Sequence, residues 1–304
     1  MKILLLGYSN IAKKRFINYF IKKKLILYIA SESFKDKIPN ISKQFYSYEV
    51  ALKQSDADIV YISLPNSLHY KWALKALSLG YHVVVDKPIC DKTYELKELI
   101  KISKKKNKLI AEATFFNYHK QFKKVENIIK GKKNIQKIDI DFTIPKPKKN
   151  TLLLSRKFKG GALMDMGPYA AAVARIFFNE KIISHKVQIK KNKDNLITSF
   201  KILINYKSKI YSGKFKFGGS YKNELIITTK SNSIILNRVF SPPSDQSLNL
   251  TIDMDNYQTI FTIKKDNCFA NFFNEVLKNI KNKKFKFYLK NIKFDNDFRN
   301  KILK

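Results

Sequence analysis

The strongest constraint on the fold is an alternation of short apolar segments and helical patterns through the first 120 residues. Ile3 to Leu6 is an apolar segment, and apolar residues at helical spacing follow from Ile11 to Ile21. A strand that is apolar on both faces must be covered on both faces, which is typical of parallel strands joined by helices. The alternation therefore predicts a doubly wound parallel sheet. Its further predicted strands are 25–30, 58–64, 81–85 and 109–111, and its further helices are 69–79 and 93–105.

The second half of the chain has a different periodicity, in which polar and apolar residues alternate one by one. Such alternation predicts antiparallel strands with one solvated face. The predicted strands are 135–144, 186–189, 197–206, 208–217 and 224–229, and two helices are predicted at 161–178 and 268–280. We therefore expect two domains, an α/β domain over 1–120 and an α+β domain with an open, mostly antiparallel sheet over 121–304.

The chain is strongly basic, with 60 Lys and Arg against 24 Asp and Glu and a formal net charge of +36. This charge raises nucleic acid, an anionic membrane surface or an anionic substrate as partners. The lysines are spread along the whole chain, whereas specific readers of phosphates and bases rely on arginine. The five arginines are Arg15, Arg156, Arg175, Arg238 and Arg299. We expect no main function in nucleic-acid binding, and the charge is compatible with a diphosphate substrate.

Membrane, secretory and metal functions find no support in the sequence. No apolar run reaches about 18 residues, so a membrane span is not expected. The apolar run before Gly7 is shorter than the roughly 7–15 residues of a secretory signal. Cys90 and Cys268 supply neither a disulfide framework nor a metal cluster and favour a reducing compartment. We therefore expect a cytoplasmic protein that binds no metal.

The turn after the first strand has the features of a phosphate-binding loop. Against the pattern G-x-G-x-x-G/A, the chain keeps Gly7, places Ser9 at the second glycine and Ala12 at the third. Backbone N–H groups and the helix dipole at such a turn face a pyrophosphate. Gly7, Ser9, Asn10 and Ile11 are therefore candidate cofactor-binding residues, and the alternative is an ordinary strand-to-helix turn.

The end of the second strand bears on the choice of cofactor. A carboxylate there accepts from the ribose 2′-hydroxyl of NAD, whereas a hydroxyl with nearby cations suits the 2′-phosphate of NADP. The chain has Ser31 followed by Glu32, with Lys14 and Arg15 near the start of the first helix. The sequence favours NADP(H) over NAD(H), although Glu32 points the other way.

The loop Asp86-Lys87-Pro88 follows another predicted strand, at the carboxyl edge where open α/β sheets bind ligands. A lysine in such a cleft can act as a general acid toward a developing alkoxide. The alternative interpretation is one more surface lysine.

Two motifs together resemble the Gfo/Idh/MocA oxidoreductases. Asp86-Lys87-Pro88 is similar to the Glu-Lys-Pro signature of that family. The stretch from Gly160 to Tyr169 (GGALMDMGPY) is similar to its Gly-Gly-(Gly)-Ala-Leu-x-Asp-x-Gly-x-His/Tyr helix. The resemblance covers about residues 1–180. It implies a Rossmann-type domain that binds NAD(P), followed by a domain with an open antiparallel sheet that is covered by another subunit in a dimer or tetramer.

The resemblance also implies roles for individual residues. Lys87 matches the catalytic lysine, and the Lys87–Pro88 peptide bond is expected to be cis. Asp165 and Tyr169 match polar helix positions one turn apart and share a helix face. For Asp165 the alternative is a first-turn acid of a helix, and for Tyr169 it is core packing. Further residues implied in cofactor binding are Leu64, Pro65, Asn66, His69, Asp86, Lys87 and Pro88, and His119 is a further candidate by analogy.

The tyrosine at position 169 resembles the branch of the family that contains nucleotide-sugar 3-ketoreductases and dihydrodiol dehydrogenases. We expect an NAD(P)H-dependent reductase of a keto-sugar, a nucleotide-linked keto-hexose of surface-glycan or deoxysugar biosynthesis. Lys87 or Tyr169 would donate the proton, and Asp165 would hold the donor and a substrate hydroxyl. One alternative is a dehydrogenase of a free polyol, inositol or dihydrodiol. Another is a dinucleotide sensor or regulator without enzymatic activity.

Overall fold

The computed structural model describes residues 1–34, 37–178, 180–254 and 257–303. The chain divides into two compact units. Unit 1 consists of Met1–Ala113 together with Phe273–Asn296, and unit 2 consists of Thr114–Phe272 together with the residues from Asp297 onward. The return of the chain to unit 1 near its C-terminus was not indicated by the sequence. Among the described residues, no helix combines the length and apolar character needed to cross a membrane.

Unit 1 is built on a six-stranded sheet in which every pair of neighbouring strands is parallel. Its strands are β1 (Lys2–Leu6), β2 (Ile26–Ala30), β3 (Lys43–Phe45), β4 (Ile59–Ile62), β5 (His82–Val85) and β6 (Ile110–Glu112). The strand order β3-β2-β1-β4-β5-β6 reverses direction between β1 and β4. In open parallel sheets, ligands bind at such a switch point, beyond the carboxyl ends of the strands. The loops that follow β1, β4 and β5 are therefore the place to look for a site.

Helices connect these strands in the α/β manner. A π-helical segment (Ala12–Ile17) leads directly into α1 (Asn18–Lys22), and the next helices are α2 (Tyr48–Gln54), α3 (Asn66–Ser78) and α4 (Thr93–Lys106). Strand β4 is completely buried, as the apolar pattern requires for a central parallel strand. Tyr61 of β4 contacts the rings of Phe16 and Phe20, and Phe273 packs against the same cluster.

Unit 2 carries an eight-stranded sheet in the order β14-β13-β12-β11-β7-β10-β9-β8. Its strands are β7 (Ile135–Ile144), β8 (Ile182–Lys191), β9 (Ile197–Tyr206), β10 (Ile210–Phe217), β11 (Lys222–Thr229), β12 (Ser233–Asn237), β13 (Leu248–Met254) and β14 (Tyr257–Ile263). Among the strand pairs of this sheet in the described residues, only β7 and β10 are parallel, and the others are antiparallel. Alternate residues of β9, β10 and β11 are buried, so one face of the sheet forms the core.

Helix α6 (Ala162–Phe177) packs on the buried face of this sheet. Its Ala and Val residues from 170 to 174 are fully buried, and Tyr211 of β10 donates a hydrogen bond to the Ala170 carbonyl at 3.0 Å. The remaining helices are α5 (Lys120–Ile129), α7 (Cys268–Lys281) and α8 (Lys286–Lys301), and 3-10 turns lie at Phe116–Tyr118, Lys132–Asn134 and Leu152–Leu154.

The predicted fold class is confirmed. The parallel sheet and the mostly antiparallel sheet are both present, and strands 135–144 and 197–206 have the predicted bounds. The sequence analysis missed β3, α2, α5, β12, β13, β14 and α8. The domain boundary predicted near residue 120 stays a prediction, and the contact-based units change at residues 113 and 114.

Candidate active site

The turn after β1 brings the backbone of the chain against the end of β4. Gly7 has a φ of +99°, and a Cβ added there would lie 2.2 Å from the Ser63 carbonyl oxygen. A side chain at this position is excluded twice, by the conformation and by the close approach. The glycine therefore allows the loop to turn tightly against the end of β4, which is the role of the first glycine in a dinucleotide-binding loop.

Ser9 replaces the second glycine of the pattern and has a role of its own. Its Oγ accepts a hydrogen bond from the backbone N–H of Ala12 at 3.0 Å. The same oxygen lies 2.8 Å from the Oγ of Ser63. Ser9 therefore caps the start of the helical segment and joins the phosphate loop to β4.

Asp86 continues this chain of hydrogen bonds. Its carboxylate accepts from the Ser63 hydroxyl at 2.7 Å and from the Tyr61 hydroxyl at 2.8 Å. Since a carboxylate only accepts, Ser63 donates to Asp86 and in turn accepts from Ser9. Four groups, from the Ala12 N–H through both serines to the carboxylate, form one directional network.

The electrostatics of this network reflect its burial. Burial raises the pKa of Asp86, and the charge of His69, the hydroxyl donors and the charge of Lys87 act in the opposite direction. Burial and the neighbouring Asp86 raise the pKa of Tyr61, so its hydroxyl remains a donor.

Lys87 and Pro88 follow at the carboxyl end of β5. The peptide bond between them is cis, as the resemblance implied. The backbone N–H of Asp86 bonds to the Ile62 carbonyl at 2.9 Å, and that of Ile89 bonds to the Glu112 carboxylate at 2.8 Å. Both sides of the lysine are therefore anchored to neighbouring strands, and Lys87 itself is half-buried.

The residues predicted to lie around the cofactor's adenosine differ in exposure to solvent. Ser31 is only 2% exposed, and its Oγ lies 3.1 Å from the Oγ of Ser33 and 3.3 Å from the Ser33 nitrogen. Ser33 and Lys14 are exposed, whereas Arg15 is partly buried and acts on the pKa of Tyr61.

The remaining predicted residues of unit 1 lie in the loops after β1 and β4 or in the helical segments that follow these loops. Asn10 and Ile11 are exposed at the start of the helical segment, and Leu64 packs against the Gly7 position. Pro65 precedes α3, in which Asn66 is the first residue. His69 is fully buried, with its ring between two backbone carbonyls.

The residues present at this end of unit 1 fit a dinucleotide. The deciding observation is the tight turn at Gly7, which has a positive φ and no room for a side chain. The residues that would hold the cofactor are Gly7, Ser9, Asn10, Ile11, Leu64, Pro65 and Asn66. Across the part of the chain that the structure describes, no cluster of three His, Cys, Asp or Glu side chains could hold a metal ion.

Asp165 and Tyr169 lie on α6 of unit 2, one helical turn apart, and both are partly buried. Three phenylalanines surround the ring of Tyr169, with centroids 5.0–5.7 Å away: Phe116, Phe142 and Phe240. The helix begins after Gly160 and Gly161. A Cβ at Gly160 would lie 2.5 Å from the Leu152 carbonyl oxygen, so this glycine allows the chain to pass close to the 3-10 turn there.

Residues 1–114 match the Gfo/Idh/MocA family model, described as an oxidoreductase family with an NAD-binding Rossmann fold. The resemblance to this family is thereby confirmed, and the matched residues include Asp86-Lys87-Pro88.

The relatives of this chain include sugar reductases and diol dehydrogenases. A dTDP-3,4-didehydro-2,6-dideoxy-alpha-D-glucose 3-reductase from Actinomadura kijaniata is 24% identical over 227 residues, which cover 73% of this chain and 68% of that protein. A trans-1,2-dihydrobenzene-1,2-diol dehydrogenase from Xenopus laevis is 26% identical over 150 residues, covering 47% of this chain and 44% of the dehydrogenase.

The fold as a whole is similar to a solved structure. The crystal structure of KijD10, a 3-ketoreductase from Actinomadura kijaniata in complex with NADP and TDP-benzene, superimposes with a TM-score of 0.91. The identity is 19%, and the match covers 100% of this chain and 97% of that one. Both sheets of this chain therefore belong to a fold known from an oxidoreductase.

Sequence reasoning missed three residues that build this site, namely Tyr61, Ser63 and Glu112. Tyr61 and Ser63 belong to an apolar strand and its end, where the pattern predicts only burial. The signal that could have found them is a polar side chain at the end of a strand next to the switch point.

Proposed function

We propose that this protein is an NADPH-dependent reductase of a nucleotide-linked keto-hexose, acting in surface-glycan or deoxysugar biosynthesis. One observation carries the proposal: a single hydrogen-bond network joins the phosphate loop at Ser9 to Asp86, the residue before Lys87. The phosphate loop and the segment that carries the candidate acid Lys87 are thus connected by hydrogen bonds. The similarity to 3-ketoreductases supports the choice of substrate.

The proposed chemistry divides between cofactor and protein. The reduced nicotinamide supplies a hydride to the carbonyl carbon of the sugar. Lys87 donates a proton to the oxygen of that carbonyl, so that the alkoxide becomes an alcohol, and it regains a proton from solvent. Tyr169 is the alternative donor, and Asp165 orients the donor and a substrate hydroxyl.

Neighbouring residues position Lys87 through hydrogen bonds to the main chain on each side of it. The main chain on both sides of the lysine is hydrogen-bonded to Ile62 and Glu112, which limits its movement. Correct placement of reacting groups accounts for a large part of enzymatic rate enhancement, and a general acid adds about 10²–10⁴-fold.

The preference for NADP(H) over NAD(H) is part of the proposal. Ser33 presents an exposed hydroxyl next to Ser31, and the ammonium of Lys13 lies 4.2 Å from the centre of the Tyr8 ring. These groups, with Lys14, favour a 2′-phosphate, whereas Glu32 would repel it. Direct titration with NADPH and NADH tests the preference, and equal affinity for both would contradict it.

Self-association is proposed through the outer face of the eight-stranded sheet. This face carries a concavity of about 580 Å³ that includes none of the predicted site residues. Leu203 and Ile210 on it are 44% and 40% exposed, beside an ion pair between Lys214 and Asp141. A face with both apolar side chains and charges of both signs suits a second copy in a dimer or tetramer. Light scattering of the wild type and of Leu203→Lys tests this, and a monomeric wild type would refute it.

We propose the cytoplasm as the location, because Cys90 and Cys268 are buried thiols and a reducing compartment keeps thiols reduced.

A matrix of cofactors and substrates tests the proposed function. Purified protein is mixed with NADPH or NADH and with a nucleotide-linked keto-hexose, the corresponding free keto-sugar or no sugar, and the loss of reduced nicotinamide is followed. We expect oxidation of NADPH only with the nucleotide-linked sugar. Equal rates with the free sugar would contradict the proposed substrate class.

The second candidate is oxidation of a free polyol, inositol or dihydrodiol. The similarity to dihydrodiol dehydrogenases favours including it. The discriminating measurement is the reverse direction, in which the protein is mixed with NADP⁺ or NAD⁺ and these alcohols. Formation of reduced nicotinamide with a free alcohol, without activity on keto-sugars, would replace the first proposal. Tight cofactor binding without turnover of either class would indicate a dinucleotide sensor.

A further inference from the structure

The ring of His69 contacts a hydrogen-bond acceptor at each of its two nitrogens. Nδ1 lies 2.8 Å from the Pro88 carbonyl oxygen, and Nε2 lies 2.7 Å from the Leu64 carbonyl oxygen. The residue is fully buried. A neutral imidazole carries one N–H, so one of these contacts would then place two lone pairs against each other. Only the imidazolium form donates at both nitrogens.

Two other histidines, His82 and His119, have different hydrogen-bond partners. Nδ1 of His82 accepts from the backbone N–H of Leu109 at 3.0 Å, and Nδ1 of His119 accepts from that of Gln121 at 3.3 Å. Accepting requires a lone pair, so each of these rings is neutral. Burial lowers the pKa of His82 to about 4 and also lowers that of His119. His69 is therefore set apart by its hydrogen-bond partners.

A buried cation needs an opposite charge nearby. Asp86 supplies it, since the charge of His69 acts on the Asp86 carboxyl. Both oxygens of that carboxyl accept from hydroxyl groups, of Tyr61 and Ser63, an arrangement that stabilises the ionised form. Lys87 is the other charge acting on Asp86.

We infer that His69 is a buried imidazolium at neutral pH that ties the Leu64 turn to the Lys87–Pro88 turn and acts as a positioning residue for Lys87. The two carbonyls it holds follow β4 and β5, on either side of the switch point. The positioning part rests on the proposed function, in which Lys87 is the acid. The charge of His69 stands independently of that function.

Nitrogen-15 NMR of the full-length wild-type protein, labelled at its four histidines, tests the charge. At neutral pH we expect one histidine with N–H protons on both ring nitrogens in slow exchange with water. That signal should vanish in His69→Gln. The signals of His82 and His119 should each show one protonated nitrogen. A wild-type spectrum in which every buried histidine has a single protonated nitrogen would overturn the inference. This outcome is measured on the wild-type protein and does not depend on whether a variant folds.

Turnover tests the positioning role. The amide of Gln can donate but not at both ends, so His69→Gln releases one of the two turns. We expect kcat to fall about 10–100-fold, as for a misplaced catalytic group, with the Kd of NADPH changed by less than about threefold. The matched control is His185→Gln on the exposed strand β8, for which we expect no change.

The outcomes separate the two claims from the proposed function. A wild-type imidazolium with unchanged kcat in folded His69→Gln would refute the positioning role and leave the charge established. A wild-type protein that binds NADPH but reduces no keto-sugar would refute the proposed function, while the NMR result still decides the charge of His69.

Discussion

Removal of the Ser63 hydroxyl should destabilise unit 1, because this hydroxyl both donates and accepts a hydrogen bond in the network of Ser9, Ser63 and Asp86. Ser63 is 3% exposed and donates to the Asp86 carboxylate at 2.7 Å. A hydrogen bond to a charged group contributes about 1.5–3 kcal/mol, and the Ser9 hydroxyl loses its acceptor at a further cost of about 1 kcal/mol. We expect Ser63→Ala to lower the free energy of unfolding by about 3 kcal/mol.

The fluorescence of Trp72 measures this loss in unit 1 alone. Trp72 is the only tryptophan of the chain, is buried and packs against the Tyr48 ring at 5.3 Å. With a urea slope of about 2 kcal/mol per molar, the unfolding midpoint of Ser63→Ala should fall by about 1.5 M. Ser78→Ala, at an exposed position of α3, is the matched control and should remain within about 0.5 kcal/mol of the wild type.

A double-mutant cycle with Ser9→Ala tests whether the two serines act together. Ser9→Ala alone removes the acceptor of the Ala12 N–H and should cost about 0.5–2 kcal/mol, as for other helix caps. Because both residues belong to one network, the double variant should lose less than the sum of the single losses. Additive losses, or a loss below about 0.5 kcal/mol for Ser63→Ala, would refute the network.

Three further variants address the chemistry and the stability of unit 2. Lys87→Met should reduce turnover about 10²–10⁴-fold with little effect on the Kd of NADPH, whereas Lys92→Met in the exposed part of the same loop should match the wild type. Tyr169→Phe keeps the ring packing and removes only the hydroxyl; a large loss of turnover would assign the proton donor to that hydroxyl, and full activity would leave the role to Lys87. Lys209 is buried and its ion pair with Glu180 at 2.5 Å lowers the pKa of the glutamate, so the pair stabilises unit 2 at neutral pH and loses this effect as pH falls below the usual glutamate range. Glu180→Gln leaves the lysine charge unpaired and should cost about 3 kcal/mol at neutral pH in calorimetry, with a smaller difference from the wild type in acid; a difference that does not depend on pH would contradict this.

The parallel sheet of unit 1 was predictable because its strands are buried on both faces. Segments such as Ile3 to Leu6 contain no polar residue, and no other sheet type buries both faces so completely. The short edge strand β3 has three residues, too few to leave a pattern. Helix α8 was missed because Asp295 and Asn296 are buried on it and interrupt the apolar spacing.

The candidate site was predictable only where chemistry leaves a local motif. Gly7 and Asp86-Lys87-Pro88 follow strands of a recognisable kind, and their positions at the switch point follow from the fold. The partners of these residues left no such motif. Ser63 meets Ser9 across 54 positions of sequence and Asp86 across 23. The partners of His69 are backbone carbonyls, which any residue supplies. The assigned roles of the site residues stay predictions.

Transfer of hydride to a nucleotide-linked keto-hexose is the central claim, and isotope transfer tests it most directly. The protein is incubated with NADPH that carries deuterium at the transferable position and with the keto-sugar, and the product is analysed by mass spectrometry. We predict a nucleotide-linked sugar with a hydroxyl group and one deuterium on the former carbonyl carbon. The wild type should form this product, and Lys87→Met should form almost none. A deuterium-free sugar with unconsumed NADPH, from protein that binds the cofactor, would contradict the account.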